Sequence, residues 1–270
     1  MSESARALST WNWEPSVLLG LALIIGAYLA ALGPSRSRFR SSAPVERARV
    51  FAFLLGAFVM LFALVSPLDD IGDRYLFSAH MTQHLLLTLV APPLMLIGTP
   101  GWMLRPLLRD PVILRAARFF TTPLIAFALF NVDFLVWHLP ALYDATLHNQ
   151  MLHIFEHLLF IVTAFLNWSP ILSPLPELPR LPAPAQILYL FGQALPATIL
   201  GAFIVFAPAP LMPTYAAAPP IFGINALNDQ QFSGLIMWMP GGMVYLLALS
   251  IVWFTWIDGE ERAERTPVPR

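Results

Sequence analysis

Seven stretches of this chain are long, apolar and almost free of charge, at residues 15–33, 50–67, 75–97, 120–140, 150–170, 186–207 and 232–257. A bilayer core about 30 Å thick takes roughly 20 such residues to cross as a helix. Within it every backbone N–H and C=O must be paired, so only helices and closed barrels span. These runs are too long, and too rich in Leu, Ala and Phe, for alternating barrel strands of about 10 residues. The sequence predicts an all-α integral membrane protein, a seven-transmembrane-helix bundle. It divides into an outer N-terminal segment 1–14, a membrane domain 15–257 and a cytoplasmic tail 258–270. No internal repeat is visible.

Composition narrows the function classes. Only 11% of residues are charged, against about a quarter in soluble domains. The 15 basic residues are all Arg and nearly balance 16 acidic ones. A nucleic-acid binder would carry a basic excess, so the expected environment is the lipid bilayer and not nucleic acid. The absence of Cys removes disulfides, thiolate zinc sites, iron–sulfur clusters and a Cys nucleophile.

Arginine placement predicts orientation. The segment before the first span has Arg6 beside Glu3 and Glu14, unlike the basic start of a signal peptide. The positive cluster follows that span, as Arg36, Arg38, Arg40, Arg47 and Arg49. With the N-terminus outside and the C-terminus cytoplasmic, inner segments hold 13 of the 15 Arg, leaving only Arg6 and Arg74 outside. That asymmetry follows the positive-inside rule. The outer segments carry Asp69, Asp70, Asp73, Asp144 and Asp229. Pro92–Pro93, Pro196 and Pro240 interrupt apolar runs, and a bend is expected at Pro240–Gly241–Gly242. No clear small-xxx-small face marks a helix dimer.

The same topology gathers the histidines. His80 and His84 open the third span, His138 closes the fourth, His148 follows it, and His153 and His157 open the fifth. All six then fall in or above the outer part of the membrane. Each pair four residues apart shares one helix face, with Cβ atoms about 5–6 Å apart, and both members could reach one metal ion. Ionisable groups in a bilayer are expensive and usually functional, although a hydrogen-bonded structural cluster is the bland alternative. The predicted ligands are His80, His84, His138, His153 and His157. Glu156 and Asp133 are candidates to orient ligand rings through their second nitrogen. Asp229, Met237 and His148 are auxiliary candidates, with Met81, Met151 and Met239 weaker ones. Asp69, Asp70 and Asp73 read as loop charges that could draw a cation to the mouth.

Imidazole suits copper, zinc, iron and nickel, and thioethers tilt the choice to copper. A copper ion is the first expectation, with zinc behind it. Two other function classes use the same residues. His153-Ile-Phe-Glu156-His157 matches H-x-x-E-H, in which Glu activates water on zinc, and the pairs could hold di-iron, although no second carboxylate-rich box accompanies them. One His from the third span and one from the fifth could bind haem axially, which leaves most of the cluster unexplained.

Four ordered motifs extend this reading. His80-Met-Thr-Gln-His84 leads into Ala91-Pro92-Pro93-Leu94; Trp137-His138-Leu139-Pro140 runs on to Tyr143-Asp144; His153-x-x-Glu156-His157 follows; and Asp229-Gln230-Gln231 precedes Gly234-Leu235-Ile236-Met237-Trp238-x-Pro240-Gly241-Gly242. Over roughly 15–257 the chain resembles the seven-helix CtaG family of cytochrome c oxidase assembly factors. The resemblance implies a non-enzymatic protein of a bacterial-type inner (plasma) membrane. It also implies delivery or handling of copper for cytochrome c oxidase, with its copper-containing catalytic subunit as partner. His80, His84, His138, His153 and His157 stand in the matching motifs, and His148 lies outside them.

Overall fold

Apolar runs in a membrane close their own backbone hydrogen bonds, and this chain does so as helices. The computed structural model describes residues 3–33, 36, 39 and 43–265, with helices and no strand among them. Arg38, Arg40 and Arg270 of the predicted cytoplasmic charge lie outside the described residues. In order, the helices are α1 (Glu3–Ala7), α2 (Pro15–Leu32), α3 (Arg47–Val65), α4 (Pro67–Arg74), α5 (Phe77–Leu85), α6 (Ala91–Gly98) and α7 (Gly101–Leu104). After these come α8 (Pro111–Phe120), α9 (Pro123–Trp137), α10 (Pro140–His148), α11 (Gln150–Leu172), α12 (Ala183–Phe206), α13 (Pro213–Ala217) and α14 (Ala226–Arg265).

A π-helical turn, Leu86–Val90, joins α5 to α6 in one rod. Its cause is Pro92–Pro93, which cannot donate to carbonyls one turn back. The Thr88 carbonyl, four residues before Pro92, instead accepts from Trp168 Nε1 at 3.0 Å. The proline pair thus widens the helix and leaves an acceptor that ties the rod to α11.

Among the described residues, six helical segments are long and apolar enough to cross a membrane: α2, α3, the α5–α6 rod, α11, α12 and α14. The expected fourth span, 120–140, is two helices, α8 and α9, bent by 68°. Thr122 precedes Pro123 and is extended (φ −58°, ψ 128°), because proline disfavours a helical residue before it. With its 15 residues, α9 reaches about 22 Å at 1.5 Å per residue, short of a full crossing. The count is therefore six, or seven if the bent pair is one span. At Pro240 the expected bend does not end the helix; α14 continues through it.

The bundle has two unlike ends. Asn12, just before α2, donates to Asp69 at 2.7 Å, while Tyr28, near the end of α2, donates to the Gly98 carbonyl at 2.9 Å. Asp229, at the start of α14, holds the start of α5. The starts of α2 and α14 therefore share the end of the bundle that contains α4. At the opposite end Arg105 pairs with Glu177 at 3.1 Å, and Arg118 donates to the Glu177 carbonyl. Arg180 donates there to the Ser173 carbonyl.

The α12–α14 packing depends on two glycines. A Cβ at Gly201 would lie 2.7 Å from the Gly234 carbonyl, and one at Gly234 would lie 2.6 Å from the Gly201 carbonyl. Only hydrogen fits at that crossing. Gly234→Val is expected to destabilise the bundle by about 1–3 kcal/mol through overpacking, read as a lower Tm in detergent. Gly242→Ala, with open space around its Cβ, serves as the control and leaves Tm unchanged or raises it.

Candidate metal centre

Two helix starts and two helix ends build the site. α5 begins without a side-chain cap of its own. Its first N–H groups are satisfied from α14: Asp229 accepts from Phe77 N at 2.6 Å and Ser78 N at 3.1 Å, and also from Ser78 Oγ. One turn further, His80 and His84 point inward from the same face and are buried. α11 starts at Asn149, whose side chain accepts from Leu152 N, and carries His153, Glu156 and His157 inward. α9 ends at His138.

The fourth contributor, α4, is helical where the sequence reading placed a loop. Ser66 accepts from Leu68 N, Pro67 occupies the first turn, and Asp69 and Asp70 follow. Asp69 and Asp73 are four residues apart and share a helix face; Asp70 and Arg74 pair at 2.9 Å beside them. Gly72 lets α4 settle on α5, since a Cβ there would lie 3.0 Å from both His80 Cα and His80 N.

These elements converge on one polar layer. His80 Nε2 lies 2.8 Å from His84 Nε2. His80 Nδ1 is 3.6 Å from Asp73 Oδ1, and His153 Nδ1 is 3.5 Å from Asp73 Oδ2. His84 Nε2 is 4.0 Å from Glu156 Oε1. His157 packs on both helices, with ring centroids 4.2 Å from His153 and 5.2 Å from His84. Ligand atoms of His80, His84 and His157 lie within 4.8 Å of one another, as do those of Asp73, His80 and His153.

The donor set fits a metal ion. One nitrogen each of His80, His84, His153 and His157, Asp73 Oδ1 and both oxygens of Glu156 are buried with no hydrogen-bond partner. Leaving one such atom unsatisfied costs about 1–3 kcal/mol, and the cluster concentrates seven of them. Two imidazoles on one tetrahedral ion, with bonds of about 2.0–2.1 Å, stand about 3.3 Å apart; the facing Nε2 atoms of His80 and His84, 2.8 Å apart and within hydrogen-bond distance, would have to open to hold one. A vestibule of about 720 Å³ reaches Asp73, His153 and His157 from the α4 end, flanked by Glu14, Asp69 and Asp70. Burial, then the charges of Asp69, Glu156 and Asp70, push the Asp73 carboxyl up to about 8. Burial also raises Asp69, although Asn12 and Gln83 donate to it.

The remaining predicted residues separate. His138 stands beside the cluster, 6.4 Å from the His84 ring, with Nδ1 2.6 Å from the Phe134 carbonyl and Nε2 3.4 Å from Met81 Sδ. Met237 is buried and lines a cavity of about 40 Å³ with Met81, His84 and His138. His148 is exposed on the vestibule wall, its Nδ1 2.7 Å from the Asp144 carbonyl. Asp133 accepts from Trp137 Nε1 and Thr163 Oγ1, both at 2.8 Å, instead of orienting a histidine. Five residues turn a helix through about 500°, so Asp133 and His138 face different ways. Asp229 serves the α5 backbone. Met151 and Met239 are exposed. The residue that sequence reasoning undervalued is Asp73, which touches two rings. Its signal was available in Ser66-Pro67-Leu68-Asp69, a helix-start pattern that puts Asp73 one turn after Asp69.

The model of the cytochrome c oxidase caa3 assembly factor family, Caa3_CtaG, matches residues 26–259. The chain belongs to this family. The matched stretch runs from α2 into α14 and contains every residue of the cluster. Two uncharacterized proteins, of Mycobacterium bovis and Mycobacterium tuberculosis, are each 28% identical to this assembly-factor family member over 204 residues. Those alignments cover 70% of the chain but only 30% of each relative's length. No solved structure matches.

Because Asp229 binds backbone and not the cluster, Asp229→Ala should destabilise the fold by about 1–2 kcal/mol, as loss of a helix cap does. Thermal unfolding in detergent would show it, and the metal content of the remaining folded protein should fall with it, because the start of α5 sets the position of His80 and His84.

Proposed function

We propose that this family member handles copper for cytochrome c oxidase assembly, binding it at the His80–His84–His153–His157 layer with Asp73 and Glu156. The observation that carries this reading is the set of unpartnered imidazole nitrogens converging at the foot of an acidic vestibule. Copper is cargo in this scheme, and the protein is not an enzyme. Copper is preferred to zinc because N/O sites bind copper(II) more tightly than zinc. The membrane is a bacterial plasma membrane, crossed with the N-terminus outside and the C-terminus in the cytoplasm. The support is the Arg distribution, with Arg105, Arg118 and Arg180 at the end opposite the histidines. The histidine layer then faces outward. From there copper passes to the copper-containing catalytic subunit of the oxidase, one imidazole at a time.

A zinc hydrolase reading draws on one observation: both Glu156 oxygens are buried without a partner, beside His84. Metal-dependent turnover that Glu156→Gln abolishes, with metal retained, would favour it over copper handling. An axial haem has less support. His84–His157 and His80–His153 ring centroids are only 5.2 and 5.5 Å apart, with no macrocycle-sized gap between them.

Copper-loaded protein in detergent should hold about one ion at this layer, and His80→Ala or His157→Ala should lower copper affinity by about 10- to 100-fold or more. Elemental analysis after desalting, beside circular dichroism, reads both metal and fold. Unchanged copper in both variants would remove the site. Orientation is tested separately, since the chain has no native Cys. His148→Cys should react with a membrane-impermeant maleimide in intact cells, and Leu107→Cys only after lysis. The reverse pattern would invert the topology.

A further inference from the structure

Below the histidine layer, the cavity of about 40 Å³ is lined by the imidazoles of His84 and His138 and the thioethers of Met81 and Met237, together with Asn131, Gln193 and Tyr245. We propose that it is a second metal site, selective for a soft monovalent ion, with His138 Nε2 and the Met81 thioether as its ligands and Met237 as a further donor. This rests on the copper reading above only for the identity of the natural ion.

The deciding feature is the His138–Met81 contact. His138 Nδ1 lies 2.6 Å from the Phe134 carbonyl, which can only accept, so Nδ1 carries the ring proton and donates it. A neutral imidazole with its proton on Nδ1 has a bare lone pair on Nε2. That lone pair faces Met81 Sδ at 3.4 Å, and a thioether sulfur has no proton to give. Two Lewis bases therefore confront each other in a buried layer with nothing between them to share. A metal ion answers that arrangement. Bonds of about 2.0 Å to nitrogen and about 2.3 Å to sulfur, at a tetrahedral angle, hold the two atoms about 3.5 Å apart.

The surroundings suit a soft ion of low charge. Met81 and Met237 are each 1% exposed. No carboxylate lines the cavity, whereas the layer above it has Asp73 and Glu156. Nitrogen and sulfur donors without oxygen anions select Cu(I) over divalent ions. His84 belongs to both levels: its Nε2 faces His80, and its ring is part of the cavity wall. The two sites thus stand one above the other with one imidazole between them, the upper hard enough for a divalent ion and the lower soft.

Silver(I) and zinc(II), both redox-inert, separate the two sites in the full chain in detergent. Wild type is expected to bind silver with sulfur in its first coordination shell by X-ray absorption, and zinc with nitrogen and oxygen only. Met81→Leu should weaken silver binding by about 10- to 100-fold and remove its sulfur scattering while zinc binding persists. Met237→Leu should lower the sulfur count. Both swaps conserve volume, and retained zinc binding certifies the fold. His157→Ala should lose zinc yet keep sulfur-bound silver, so failure of the upper site and failure of the lower one give different results. Silver bound by nitrogen and oxygen alone in wild type, or undiminished sulfur scattering in the Met81→Leu/Met237→Leu double variant, would overturn the proposal.

Discussion

The carboxylate of Asp229 on the first backbone N–H groups of α5 is the contact on which the site depends. In a membrane interior a free helix start has no water to turn to. The last long helix supplies the missing acceptor, and in doing so fixes where α5 begins. That start sets the level of His80 and His84. Asn149 does the same for α11 locally, and Ser66 for α4. The histidine layer is thus positioned by helix-start chemistry and not by contacts among the histidines.

Against this background the unpaired atoms are informative. Many other buried polar side chains find partners, although Gln83 Oε1 and Glu177 Oε2 do not. Gln83 donates to Asp69 and to the Ala63 carbonyl, at 2.6 and 2.9 Å. Asn131 donates to Gln193 at 2.8 Å, Gln193 donates to Asn167, and Tyr189 donates to Asn167 at 2.8 Å. The bundle can satisfy polar groups when they serve packing. Its unsatisfied nitrogens and oxygens concentrate at His80, His84, His153, His157, Asp73 and Glu156, beneath a large polar vestibule.

Much of this was legible in the residues. Six of the seven spans were readable because a membrane helix needs an uninterrupted apolar run. That His80, His84, His153 and His157 come to one end of the bundle followed from span parity, since alternate helices return to the same face; His138 stands beside them. The bend between α8 and α9 was less visible, because a long apolar run conceals a break at Thr122–Pro123 when the flanking residues are also apolar. Asp133 was assigned to the wrong partner because distance along the chain says nothing of which helix face a neighbour occupies. His148 shares the histidine end of the bundle but sits on the vestibule wall, since α10 turns it away from the core.

By itself, the sequence determined the bilayer environment, the helical class, the two unlike ends and the imidazole chemistry, because these depend on composition and period. Tertiary structure alone decided which imidazoles share an ion-sized space. It brought Asp73 against His80 and His153, gave Asp229 to a helix start, and set His138 against Met81. These outcomes depend on how helices from distant parts of the chain are rotated and spaced. A shift of one residue turns a side chain by about 100°, enough to replace a ligand with a lipid-facing neighbour.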